Sequence, residues 1–278
     1  MMDYFQDLSK TVARALEEDI RDGDITAQII NETKIATAHV ISRQTAIICG
    51  QPWVDEVARQ VDPQLTVNWR VKDGDEVSQN DLLFTVQGRA RSILTAERTM
   101  LNFLQSLSGT ATQTHNYVNL ICDTESAILD TRKTIPGLRL GQKYAVHIGG
   151  AVNHRIGLFD AFLIKENHIR AAGSIASAIT RARVIKPNAR VEVEVENLGE
   201  LNEAIAAKPD WIMLDNFSVE DLRTAQGLCS NTNIRLEASG GIENPEDLKS
   251  IAATGVHYIS IGALTKHCQA IDLSMRFD

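Results

Sequence analysis

The segment "TRKTIPGLRLGQKYAVHIGGAVNHR" and its continuation to Lys165 carry Arg132, Lys133, Arg139, Lys143, Arg155 and Lys165 against a single acid, Asp160. The chain as a whole leans the other way, with 28 basic and 36 acidic residues and a formal charge of −8. A cationic stretch in an acidic chain suits a small anion better than a nucleic acid, whose phosphate backbone asks for basic charge over an extended face. A solvated surface is the plainer reading of such a stretch. Two features argue against it: the apolar run "FLI" leading into Lys165, and the glycine-rich approach "HIGGAVNHR" to His154 and Arg155.

A second constellation is acidic. In "VEVEVEN", period-two alternation puts Glu192, Glu194 and Glu196 on one face and the valines on the other. An exposed edge strand would explain this, but the segment falls in the middle of a series of strands and helices. Carboxylates pointing inward there need a metal ion, hydroxyls or a lysine as partner. Glu194 is the best placed, with Asp215 at the end of the next apolar run as its companion. A carboxylate pair also suits glycoside hydrolysis, a chemistry that fits poorly beside so many cations. The turns "ASGGI" and "ISIGAL" add Gly240, Gly241 and Gly262, flanked by Ser239 and Ala263, where backbone N–H groups can approach a phosphate.

These groups need a scaffold that brings them together. From Ser126 onward the runs "SAILD", "FDAFLIK", "ARVEVEVEN", "DWIMLDN", "IRLEAS" and "HYISIG" alternate with helical segments. Such alternation implies parallel strands, in a barrel or a doubly wound sheet. Asp130, Lys165, Asp215 and Ser239 each stand at a strand end, and a barrel gathers such ends at one mouth, so a (β/α) barrel is expected. "NPEDLKSIAATG" and "SVEDL" show helix starts, with Asn244 and Ser218 as caps.

The first hundred residues read as mixed α/β. "LSKTVARALEED" has helical spacing, while "KIATAHVISRQTAIICG" and "LTVNWRV" suit strands. "VKDGDEVSQNDLLFTVQG" reads as a hairpin about Asp73-Gly74; it is superficially similar to biotinyl and lipoyl carrier modules but lacks their modified lysine. A helix is expected from Ser92 to past Leu107, with Arg98 about 40° from Leu94 on the helical wheel. Beside that apolar stripe Arg98 either snorkels or reaches a ligand.

The stretches "TAERTMLNFLQSLSGTAT", "LDTRKTIPGLR", "KYAVHIGGAVNHRIGLFDAFLIKENH", "VEVEVENL", "IMLDNF" and "GALTKH" together resemble the quinolinate phosphoribosyltransferase family over nearly the whole chain. One departure is Ala151, where the family commonly has a third glycine. The resemblance implies an N-terminal α/β sandwich domain over 1–109, joined by 266–278, and an incomplete α/β barrel over 110–265. It implies transfer of a phosphoribosyl group from phosphoribosyl pyrophosphate to quinolinate with loss of carbon dioxide. It also implies Mg²⁺ as cofactor and a homodimer in which Arg98 of the partner subunit completes the site.

By the same resemblance, Arg98, Arg132, His154, Arg155 and Lys165 hold the ring carboxylates, and Lys133 and Lys165 face the pyrophosphate. Glu194 and Asp215 bind the ribose hydroxyls or the metal, directly or through water. The backbone around Ser239, Gly240, Gly241, Gly262 and Ala263 cradles the 5′-phosphate. Two alternatives stay open: a related phosphoribosyltransferase for another ring acid, without decarboxylation, and a sugar-phosphate-binding barrel without catalysis. Four scattered cysteines with no C-x-x-C pair argue against a zinc or dithiol centre. No membrane span and no signal peptide are legible, so a cytoplasmic location is expected.

Overall fold

Val12 and Leu16, one helical turn apart, form the buried face of the first helix, and similar spacing or alternation sets each later element. The computed structural model describes residues 2–242 and 244–278. The chain begins with α1 (Leu8–Ile20), β1 (Ile35–Ser42), β2 (Ala46–Ile47), α2 (Gln51–Val61), β3 (Thr66–Trp69), β4 (Glu76–Val77), β5 (Leu82–Arg89) and α3 (Ala90–Asn119). It continues with β6 (Ala127–Leu129), α4 (Arg139–Ile148), β7 (Phe162–Ile164), α5 (Glu166–Ala172), α6 (Ile175–Ile185), β8 (Val191–Val195), α7 (Leu198–Ala207) and β9 (Trp211–Asp215). Last come α8 (Val219–Cys229), β10 (Arg235–Ser239), α9 (Pro245–Ala252), β11 (Tyr258–Ser260), α10 (Ala263–Lys266) and β12 (Leu273–Phe277).

Two compact units result. The first runs to His115 and adds Thr134–Gly150 and Ala263–Asp278; the second comprises Asn116–Lys133 and Ala151–Gly262. Thr134–Gly150, which the sequence reading assigned to the barrel, therefore belongs with the first unit, and Arg139 and Lys143 go with it. Lys143 is fully buried there.

In the first unit an antiparallel sheet has the order β12-β1-β5-β3, so the C-terminal strand closes one edge. Its core is apolar, built on Trp53, Phe84, Leu104 and Leu107. The expected hairpin at Asp73-Gly74 is not one. The turn is present, but β4 pairs with β2, and β3 pairs with β5. Asp73 instead uses one carboxylate oxygen to accept the N–H groups of Gly50 and Gln51, capping α2, and the other to accept the Tyr144 hydroxyl.

In the second unit six parallel strands are ordered β6-β11-β10-β9-β8-β7, and Leu129 makes a further parallel bridge to Val152. Read from Val152 around to β7, this is the chain order taken cyclically, which is barrel topology rather than a doubly wound sheet. No pairing among the described residues joins Val152 to β7, so the barrel is incomplete. β8 is buried along its whole length between β7 and β9, so it is not an exposed edge. Ser218 and Asn244 cap α8 and α9 as expected, each accepting N–H groups of the first turn.

Candidate active site

Because successive strand residues alternate between faces, every second residue near the C-terminal end of a barrel strand points to the mouth. β7 thereby presents Leu163 and Lys165, β8 presents Glu194, β9 presents Met213 and Asp215, and β10 presents Glu237 and Ser239 around a cavity of about 380 Å³. Asp130, Thr131, Arg132 and Lys133 after β6, His154 and Arg155 after the Val152 bridge, and Ser260 on β11 complete its lining.

Four cationic side chains thus face four carboxylates, and their pairing sets the electrostatics. Lys165 Nζ is ion-paired with Glu194 Oε2. Asp130 accepts the His154 N–H at 2.8 Å with one oxygen and Asn153 Nδ2 at 2.7 Å with the other, which fixes the loop that carries Arg155. His154 Nε2 meets Glu192 at 2.8 Å and Glu237 at 3.2 Å. Asn216 Nδ2 donates to Asp215 at 3.0 Å.

Arg132 and Arg155 are arranged for an anion. Burial, and then the charge of Arg132, lowers the pKa of the Arg155 guanidinium. Arg132 Nε is buried with no hydrogen-bond partner. Such a donor costs about 1–3 kcal/mol unless a ligand oxygen accepts from it. Two neighbouring guanidinium groups, one with a buried donor unmet, fit a planar carboxylate.

Gly240 and Gly241, in the turn after β10, have φ of +88° and +66°. A Cβ on Gly240 would lie 2.1 Å from Asn216 Oδ1, so only glycine fits beside that amide. At Gly262 a Cβ would lie 2.9 Å from Lys133 Cδ, which places the Lys133 stem along the glycine turn after β11.

Of the residues singled out from sequence, Arg132, Lys133, His154, Arg155, Lys165, Glu194, Asp215 and Ser239 share this cavity. Arg139 and Lys143 belong to the first unit, so the opening cluster of six cations contributes four to the cavity lining. Arg98 is exposed on α3, and Ala263 opens α10; both lie in the first unit. Glu196 is exposed beyond the end of β8. His168, three residues after Lys165, accepts the Lys165 N–H on Nδ1 at 3.0 Å and helps to begin α5.

Sequence reasoning missed Glu237 and Asn216. Glu237 shares the face of Ser239, two residues on in "LEAS", and that alternation was the available signal. Asn216 gives none until its positive φ of 56° and its contact with Gly240 are seen.

A parallel-strand barrel whose mouth sets fixed cations against paired carboxylates is the framework of an enzyme for anionic substrates. Residues 24–108 match the N-terminal domain, and residues 110–276 the C-terminal domain, of quinolinate phosphoribosyl transferase. A nicotinate-nucleotide pyrophosphorylase (carboxylating) of Mycobacterium leprae is 41% identical over 277 residues, covering 95% of each chain. A probable counterpart from Bacillus subtilis is 40% identical, covering 99% of this chain and 94% of its own. The solved structure of the nicotinate-nucleotide pyrophosphorylase from Francisella tularensis superposes with a TM-score of 0.95 at 51% identity, over 100% of this chain and 98% of that one. The chain belongs to the quinolinate phosphoribosyl transferase family.

Proposed function

We infer that this chain joins quinolinate to phosphoribosyl pyrophosphate, forming nicotinate mononucleotide, pyrophosphate and carbon dioxide, a step of de novo NAD biosynthesis. The observation that carries this reading is the cavity itself: Arg132, Lys133, Arg155 and Lys165 stand opposite Glu194 and Asp215 at one barrel mouth. Both substrates are polyanions. Holding them together requires fixed positive charge to offset their repulsion and desolvation.

In this reading Arg132, Arg155 and His154 receive the two ring carboxylates, and Lys133 and Lys165 face the pyrophosphate. The turns at Gly240, Gly241 and Gly262, with Ser239 and Ala263, take the 5′-phosphate. Glu194 and Asp215 orient the ribose and stabilise the positive charge that grows on it as pyrophosphate leaves. The ring nitrogen then attacks C1. Once alkylated, its positive charge stabilises the electron pair left on C2 when the adjacent carboxylate departs as carbon dioxide, and a proton from water then takes up that pair. Positioning and electrostatics suffice for these steps, and no side chain need act as a general base.

Mg²⁺ belongs to this proposal. The carboxylates of Glu194 and Asp215 are hard oxygen donors that suit it. Lys165 and Asn216 each cover one of those carboxylates, which favours contact through water. When bound, the ion would offset charge on the departing pyrophosphate.

A homodimer in which Arg98 of the partner subunit reaches the ring acid is likewise our reading, supported by the exposure of Arg98 on α3. We place the protein in the cytoplasm. Its four cysteines are free thiols, as a reducing compartment would keep them, and no helix among the described residues is long and apolar enough to cross a membrane.

The test supplies purified protein with Mg²⁺, phosphoribosyl pyrophosphate and quinolinate labelled in the 2-carboxylate, with nicotinate as control. Release of labelled carbon dioxide with stoichiometric pyrophosphate is the expected result. Turnover of nicotinate in preference to quinolinate would overturn it, and binding of sugar phosphate without turnover of either acid would point to a binding barrel.

A further inference from the structure

Two buried carboxylates that reach His154 have no part in the transfer reaction; Glu237 lines the cavity. Glu192 on β8 and Glu237 on β10 are fully buried, and both reach His154 Nε2. Glu192 also has a second cation near it. Arg190 Nη2 lies 3.7 Å from its carboxylate, while the same guanidinium stacks 3.9 Å from the Trp211 ring centroid. Each has a buried Oε1 with no hydrogen-bond partner, but Glu237 differs in its cations: its ion-pair contact among the described residues is to His154, with no arginine beside it.

His154 is pulled in two directions. The Arg155 N–H donates to its Nδ1 at 2.7 Å, which favours a neutral ring with its hydrogen on Nε2. The two carboxylates favour the imidazolium. Burial alone would lower the pKa of His154, but Glu192 and Glu237 reverse this and raise it to about 9. Glu237 is itself pushed up to about 7, first by burial and then by the charge of Glu192. Two further charged groups stand near His154: Asp130, which accepts its backbone N–H, and Arg155, its neighbour in sequence. Arg190 offsets Glu192, so Glu237 decides which pull prevails.

We propose that Glu237 is a positioning residue for ring-acid recognition: acting through His154, it holds the imidazole as a fixed cation at the floor of the cavity. This rests on the reading of the cavity as a ring-diacid site. The trio His154, Glu192 and Glu237 has ligand atoms within 4.8 Å of one another, a spacing that a metal ion could also use. An ion there would displace the His154 proton and sit beside the Arg190 guanidinium, so charge balance favours the proton.

Nitrogen-15 NMR of the His154 ring in the intact, ligand-free protein tests the charge directly. An imidazolium at pH 7.5, titrating near 9, is expected; a neutral ring at pH 7.5 overturns the proposal. Glu237→Gln keeps the size of the side chain and removes its charge, so the midpoint falls toward the ordinary value of about 6.5. The KM for quinolinate of this variant then rises roughly tenfold between pH 6 and 8, while kcat and the KM for phosphoribosyl pyrophosphate stay within about threefold. Equal losses on both substrates overturn the proposal.

In a His154→Asn background, Glu237→Gln adds no further loss; a full additional loss also overturns it. Should Glu237→Gln fail to fold, the measurement on the unaltered protein still decides. Failure of the unaltered protein to turn over quinolinate would strike the functional reading instead and leave the NMR result standing.

Discussion

Both units bury an apolar core, but the barrel also buries a histidine–carboxylate cluster. The core of the first is built from Trp53, Leu83, Phe84, Ile93, Leu104 and Leu107, all nearly or fully buried and all apolar. At the same depth in the barrel lie His154, Glu192 and Glu237, with Arg190 stacked on Trp211. The first arrangement gains roughly 1.5–3 kcal/mol for each large side chain removed from water. A buried charge network gains little net stability over an apolar replacement of the same shape, but it fixes charge in place where water would screen it. Apolar burial supplies stability in both units, and the barrel adds electrostatic preorganisation at its mouth.

Substitutions on either side of this divide should separate activity from stability. The largest effect is expected at Lys165→Ala, which removes the cation paired with Glu194: steady-state kinetics should show kcat/KM lower by about 10³-fold or more, with little change in melting temperature. Leu104→Ala should do the reverse. It should destabilise by about 2–5 kcal/mol in denaturant unfolding while the remaining folded protein keeps its kcat.

Arg132→Ala should raise the KM for quinolinate by about 10- to 100-fold, the loss of one charge-assisted contact, and leave the KM for phosphoribosyl pyrophosphate nearly unchanged. Asp215→Ala should show the opposite substrate selectivity. The smallest effect belongs to the α8 cap, where Ser218→Ala should cost about 1 kcal/mol of unfolding free energy and no activity.

Much of this division was legible in the sequence. All six barrel strands were marked by short strand-like runs, and four of them by a polar end at Asp130, Lys165, Asp215 or Ser239, because a strand covered on both faces is mostly apolar until it reaches the mouth. The extent of α3 was not. From sequence its end is set only as past Leu107, yet α3 continues through "SLSGTAT" to Asn119; position 109 is glycine because a Cβ there would come within 2.0 Å of the Gln269 carbonyl oxygen. Thr112 and Thr114 stay helical by donating their hydroxyls to the carbonyls four residues back.

Arg139 and Lys143 were misplaced for a different reason. Nearness in sequence to Arg132 does not decide which unit a helix joins, and α4 buries its apolar residues in the first. Glu237 escaped notice because its one signal, sharing the face of Ser239, says nothing of His154 and Glu192 until the neighbours across the sheet are known.

The buried trio at the barrel floor also bears on how this chain would respond to selection. A screen for heat resistance alone should favour aliphatic replacements at His154, Glu192 and Glu237, since each would relieve a desolvated charge. The survivors would keep their shape and their glycine turns, and they would accumulate as sturdy, inert relatives of the enzyme from which they came.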